Sequence, residues 1–207
     1  MRRIALFLIV FSLFSQGAFS AESKPHGKSL VKVTGDVFAT DFRYNSDNNF
    51  LKKNVYKEFN LTECYAHPDL NDVLQKLAPL LKEKNLKLTF WDCYRPLEVQ
   101  KAMWKIVPDS RYVANPKVGS NHNRGIAVDA TLSKPDGTLL MMPTEFDDFT
   151  AKASPNYACK ADEKERCDNR KILIDLMAQV GLKPLNSEWW HYQLPNTSKY
   201  PLVEKLP

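Results

Sequence analysis

A chain of 207 residues is long enough to bury one substantial core and too short to argue for several. Its net charge of +5 comes from acidic and basic residues mixed along the chain, with no basic stripe interleaved with aromatics, which argues against a nucleic-acid partner. Beyond the first twenty residues, no stretch is apolar enough to cross a bilayer.

The chain opens Met1-Arg2-Arg3, stays almost wholly apolar from Ile4 to Phe14, and leaves through Ala18-Phe19-Ser20-Ala21. A basic start, a short apolar run and a small-residue exit describe a secretory signal peptide, residues 1–20, cleaved near Ser20–Ala21. No Cys follows the run, so a lipid anchor is not expected. The mature chain, residues 21–207, then carries about +3, no membrane anchor, no internal repeat and no low-complexity linker, and reads as one domain.

Residues 21–31 are polar and Lys-rich, a loose lead. Leu70, Val73, Leu74, Leu77, Leu80 and Leu81 recur at helical spacing, with Pro79 expected to kink the helix and Asn85 to end it. Leu86, Leu88 and Phe90 alternate with Lys87, Thr89 and Trp91, the pattern of a strand with one buried face. Tyr94-Arg95-Pro96 turns the chain, and Pro96 suits the first position of a helix carrying Leu97, Met103 and Trp104. A loop over residues 115–125 leads into a strand over 126–132. Ile172, Leu173, Leu176, Met177 and Val180 form another helical stripe, which Asp168 can cap and Gly181 can end. A last strand covers roughly residues 189–194. Helices and strands do not alternate regularly, which favours an α+β domain with a mostly antiparallel central sheet and helices packed against it.

Four cysteines, Cys64, Cys93, Cys159 and Cys167, contain no C-x-x-C pair, so a cysteine metal cluster is not expected. Behind an export signal, an even count suggests two disulfides. Of three possible pairings, Cys159–Cys167 with Cys64–Cys93 is favoured, because the first closes a short polar loop; free buried thiols are the alternative.

Two segments carry the chemistry: Ser120-Asn121-His122-Asn123-Arg124-Gly125-Ile126-Ala127-Val128-Asp129 and Glu188-Trp189-Trp190-His191. Of the four histidines, His26 lies in the loose lead and His67 precedes Pro68 at a helix start, which leaves His122 and His191 as the credible pair of metal ligands. On the strand, Asp129 shares a face with Ala127 and Thr131, where small neighbours leave room for an ion. His122 lies seven residues earlier, an odd offset that reaches the same face only if Gly125 bends the chain. Two His and one Asp give zinc three protein ligands and an open position, one ion per chain, in a cleft on the sheet. Glu188, three residues before His191, is the candidate general base if a local twist brings it round. Arg95 can face a developing oxyanion, or else pair structurally with Asp92 or Glu98. Ser120 offers a hydroxyl to a substrate carboxylate, or orders its own loop.

These residues resemble a known family. Ser120, His122, Gly125, Ala127 and Asp129, followed by Glu188, Trp190 and His191, are similar to the motif of the D-alanyl-D-alanine dipeptidases related to the vancomycin-resistance dipeptidase. That family sits in a wider zinc peptidase group with D,D-carboxypeptidases and the hedgehog signalling domain. The turn Asp92-Cys93-Tyr94-Arg95-Pro96 and the segment Tyr44-Asn45-Ser46-Asp47-Asn48-Asn49-Phe50 resemble the dipeptidase branch, so the likeness runs from about Tyr44 to Leu194. The resemblance implies His122, Asp129 and His191 as zinc ligands, Glu188 as base, Arg95 as transition-state partner, and Tyr44 beside a small pocket that holds both ends of a free dipeptide. It also implies that Asp147 pairs with the dipeptide's ammonium, with Asp148 a near competitor. Together with the export signal it implies a periplasmic role in peptidoglycan turnover. One departure is Met141-Met142-Pro143-Thr144, where family members tend to carry a Gly after the Met, so a differently shaped pocket wall is expected there. A D,D- or L,D-carboxypeptidase of peptidoglycan stems and a non-catalytic zinc module are the alternatives. The sequence leaves the oligomeric state open.

Overall fold

A computed structural model describes residues 29–204; the expected signal peptide and His26 lie outside the described residues. Within that range the chain is an α+β domain built on a five-stranded sheet and a two-stranded ribbon. The ribbon pairs β1 (Val31–Lys32) with β3 (Tyr65–Ala66). The polar lead is therefore shorter than expected: Leu30 is already buried.

The sheet contains β2 (Phe38–Thr40), β4 (Lys87–Asp92), β5 (Ala127–Ser133), β6 (Lys183–Leu185) and β7 (Glu188–Gln193), in the order β2-β4-β5-β7-β6. β2 runs parallel to β4 and every other pair is antiparallel. The alternation in β4 had implied one buried face, yet Thr89 and Trp91 are buried as well. β4 and β5 lie inside the sheet and are covered on both sides.

The helical stripe near residue 70 forms two helices, α1 (Pro68–Gln75) and α2 (Leu77–Glu83). Pro79 explains the break. It has no N–H to give the carbonyl four residues back, that of Gln75, and its ring crowds that oxygen, so α1 stops there. In the first turn of α2 the same residue costs nothing, because N–H groups at that position have no helical partner. Asn85, with φ of 53°, ends α2 as expected, and the Leu86 N–H donates to Leu81 O. Pro96 sits just before α3 (Leu97–Ile106) rather than inside it. The last helix, α4 (Lys164–Gln179), begins four residues before Asp168, which therefore pairs with Lys164 inside the helix instead of capping it. Gly181 supplies the left-handed exit with φ of 84°. α4 packs across β5, β6 and β7, and α2 packs against β4 and α4.

Both favoured disulfides are present, Cys64–Cys93 and Cys159–Cys167. Among the described residues, no helix is long and apolar enough to cross a membrane.

Candidate active site

Strand register assembles the site. Residues directly opposite one another in an antiparallel pair project to the same side of the sheet. Asp92 stands opposite Asp129, and Asp129 stands opposite His191, so three functional side chains lie abreast on β4, β5 and β7. Asp92 reaches this side only because β4 is bulged. Leu88 pairs with Leu132 and Phe90 with Ala130, but the next pair is Asp92 with Asp129, so Trp91 is an extra residue. Without the bulge Asp92 would point to the same side as Phe90. Gln193, opposite Ala127, projects to the same side as His191.

His122 arrives from a loop. A single 3-10 turn, His122–Arg124, ends at Gly125 with φ of 67°, which supplies the bend the spacing required. A side chain at Gly125 would also collide with Leu30 and with the backbone of His67. The turn is tied down on several sides. The Asn123 amide donates to Arg95 O at 2.7 Å, the Arg95 N–H donates to His122 O at 3.1 Å, and the Val203 N–H donates to Asn123 O at 2.9 Å. Ser120 Oγ accepts from the His122 N–H at 3.2 Å, so this hydroxyl does order the loop, and Ser120 also lines the cavity.

His122, Asp129 and His191 converge. His122 Nε2 lies 3.2 Å from His191 Nδ1 and 3.4 Å from Asp129 Oδ1, and His191 Nδ1 lies 2.9 Å from Asp129 Oδ1. The outer nitrogens are committed elsewhere: His122 Nδ1 lies 2.8 Å from the Cys93 carbonyl and His191 Nε2 lies 3.0 Å from Gln193 Oε1. Both partners are acceptors, so each imidazole carries its proton outward and turns its lone pair inward. Two lone pairs and a carboxylate oxygen facing one another repel unless a cation or proton lies between them. Their separations match the roughly 3.3 Å between donors that each sit about 2.0–2.1 Å from a tetrahedral zinc ion. The trio is the metal-competent cluster among the described residues.

Burial pushes Asp129 up, but His122 and His191 together hold its carboxyl well below the usual range. Burial pushes His191 down, and the hydrogen bond and charge of Asp129 more than reverse it. Glu188 approaches at the point where pairing between β6 and β7 is interrupted, between Pro184 and Leu185, and its Oε2 lies 4.0 Å from His191 Nδ1. Burial raises the pKa of this carboxyl.

Across the cavity, Arg95 is fixed on three sides. Its Nε and Nη2 donate to Asp92 Oδ2 at 3.0 and 2.6 Å, its Nη1 donates to Gln100 Oε1 at 2.9 Å, and its guanidinium lies 5.1 Å from the centre of the Tyr44 ring. The structural pairing with Asp92 is thus real, and it does not compete with a role in the site, because Arg95 also lines the cavity. Glu98 pairs instead with Lys101. Asp92 is 0% exposed and also accepts from the Tyr56 hydroxyl at 2.5 Å. Tyr56, Gln100 and Gln193 carry no motif-like signal in the sequence and become legible only through these contacts.

At the far end of the cavity, Asp147 takes a left-handed backbone with φ of 58° and turns its carboxylate inward. Oδ2 accepts from the Phe50 N–H and Oδ1 from the Tyr44 hydroxyl, each at 3.2 Å. Burial pushes its pKa up to about 8. Asp148 instead accepts from the Thr150 N–H at 2.8 Å and does not line the cavity. Nor do residues 141–144. Met142 is buried and Thr144 accepts from the Trp189 indole, so that departure affects packing rather than the pocket wall.

A cleft on a mixed sheet, with a metal-competent His-Asp-His cluster, a buried acid beside it and a clamped arginine opposite, defines a metallopeptidase-type hydrolytic centre. The comparisons with known proteins agree. Residues 25–205 match the family model described as D-ala-D-ala dipeptidase, and the chain belongs to that family of metal-dependent peptidases. It is 32% identical to the D-alanyl-D-alanine dipeptidase of Escherichia coli (strain K12), across 79% of this chain and 82% of that protein. It is 28% identical to the enzyme of the same name from Enterococcus faecium, across 74% of this chain and 84% of that protein.

Proposed function

We propose that this enzyme is an exported, zinc-dependent dipeptidase that hydrolyses D-alanyl-D-alanine or a similar D,D-dipeptide in peptidoglycan turnover. The observation that carries this reading is the pairing of the His122, Asp129 and His191 triangle with a buried carboxylate, Asp147, that lines the same cavity of about 260 Å³. A free dipeptide has an ammonium to offer that carboxylate, and a longer stem peptide does not, which favours a dipeptidase over a carboxypeptidase. Export to the periplasm is supported by the signal-like residues 1–20 and by two disulfides, which suit an oxidising compartment.

His122, Asp129 and His191 would hold a zinc ion, which would supply Lewis acidity toward the scissile carbonyl and toward the attacking water. Glu188, raised by burial, accepts a proton from the attacking water and returns it to the leaving amine. Arg95 has three of its N–H groups bound to Asp92 and Gln100, which leaves two for the oxyanion that develops on the carbonyl. Tyr44 and the Phe50 N–H hold Asp147 toward the ammonium. The Ser120 hydroxyl accepts from His122 and keeps its own proton for the substrate carboxylate.

The test is to offer the mature protein D-Ala-D-Ala and its L,L counterpart, before and after chelation and with zinc restored. Alanine release from the D,D-dipeptide that zinc restores is expected. No release from the zinc-loaded protein overturns the reading.

A further inference from the structure

Beyond Asp147 the cavity meets a roof of three aromatic rings from three separate loops. The Phe149 ring lies 5.3 Å from that of Phe50 and 4.8 Å from that of Tyr112, centre to centre. Phe50 binds the Asp147 carboxylate through its backbone, and Phe149 follows Asp147 by two residues, so the roof stands over the end of the cavity that holds the carboxylate. On its other side lies a second cavity of about 310 Å³, reaching Asn186 and Ser154. The two share Arg111, Tyr112, Phe149, Ser187 and Glu188 as lining. Tyr112 and Phe149 are 43% and 37% exposed, so the partition is a pair of rings backed by solvent, not by core.

We propose that Phe149, braced by Tyr112, is a specificity-determining residue that restricts the site to substrates with a free amino end, by separating the active-site cavity from a second groove into which an N-acyl extension would otherwise run. The proposal rests on the dipeptidase reading and deepens it. An acetyl group on an amine held by Asp147 adds three heavy atoms, for which the cavity has room only if the Phe149 ring gives way. Removing the ring joins the two cavities and gives those atoms a polar channel past Ser187 and Asn186. The bulk that excludes the longer peptide is thus confined to a few side chains and leaves the metal ligands and Arg95 untouched.

The experiment compares wild type with Phe149→Ala, Phe149→Leu and Tyr112→Ala on D-Ala-D-Ala and N-acetyl-D-Ala-D-Ala, reading the ratio of kcat/KM for capped over free substrate. The ratio is expected to rise at least tenfold in Phe149→Ala and by less in Phe149→Leu and Tyr112→Ala. An unchanged ratio in variants that keep the wild-type melting temperature overturns the proposal. If Phe149→Ala does not fold, the other two variants read the same ratio. If wild type cleaves neither substrate, the dipeptidase reading fails by itself. Calorimetry on zinc-loaded Glu188→Gln protein, with and without Phe149→Ala, then decides the partition. Capped ligand that gains at least tenfold over free ligand supports it; no gain, or no binding of either ligand, overturns it.

Discussion

The two ends of the cavity are built differently. At the metal end, Asp92, Asp129 and His191 are set by the register of three adjacent strands, and the His122 turn is tied to Cys93, Arg95 and Val203 by hydrogen bonds within the fold. At the Asp147 end, Phe50, Tyr112, Asp147 and Phe149 come from loops and touch mainly through side chains, with a left-handed residue at Asp147. A change in register would turn whole strands over, whereas a change of ring in a loop alters only what fits. The chemistry is therefore resistant to substitution around it, and the substrate range is the part that can drift.

The largest expected effects lie at the metal end. Glu188→Gln should lower kcat/KM on D-Ala-D-Ala by about 10³-fold, the usual worth of a general acid-base group. Its zinc content by elemental analysis should stay at wild type, because Glu188 does not belong to the metal cluster. Arg95→Ala should cost about 10²- to 10³-fold in kcat. It should also destabilise the fold in urea by about 3–5 kcal/mol, because Asp92 would be left buried without its partner. Arg95→Lys should fail to rescue, since an ammonium cannot make both bonds to Asp92 and still reach Gln100.

The disulfides sharpen the contrast. Cys64–Cys93 closes 29 residues and Cys159–Cys167 closes 8. Loop entropy then assigns about 3.6 and about 2.5 kcal/mol to them. Removing the first by paired Cys→Ala substitution should also weaken zinc binding in a chelator competition, because the Cys93 carbonyl orients His122. Removing the second should leave zinc affinity unchanged. Equal effects on zinc from both would break the comparison.

The last contrast is one of pH dependence, at Asp147. Its carboxyl, ordinarily near 3.8, is raised to about 8 by burial. Between those values the folded chain holds a proton that the unfolded chain has lost, so its contribution to stability is full below about pH 4 and is lost as pH rises through about 8. Asp147→Asn should flatten this decline in melting temperature between pH 5 and 9 (a window set by that shift). In the same variant, KM for the dipeptide should rise more at the alkaline end, where wild type carries the charge.

Much of this was legible in the residues. The offset between His122 and Asp129 demanded a bend, and Gly125 provides it; the interval from Glu188 to His191 demanded a local twist, and the interrupted pairing with β6 provides that. Asp168 misled because a capping residue type on the exposed face of a helix looks the same as one at its start. Pro79 signalled a break but not its place, since the clash it causes falls four residues earlier. Asp92 read as no more than a salt-bridge partner for Arg95, because nothing local announces the bulge at Trp91 that turns it toward the site.

The sequence by itself determined the inventory: which imidazoles and carboxylates were available, where the chain had to bend, and the approximate course of the central strands β4, β5 and β7 and of the longer helices. These follow from local sterics and periodicity, which act over a few residues. Tertiary structure alone decided that Asp92 serves Arg95 from the same side as the metal cluster, that Asp147 rather than Asp148 faces inward, and that Tyr112 meets Phe149 between the two cavities. Those outcomes depend on strand register and on contacts between loops far apart in the chain, where packing a common core, not local preference, selects the arrangement.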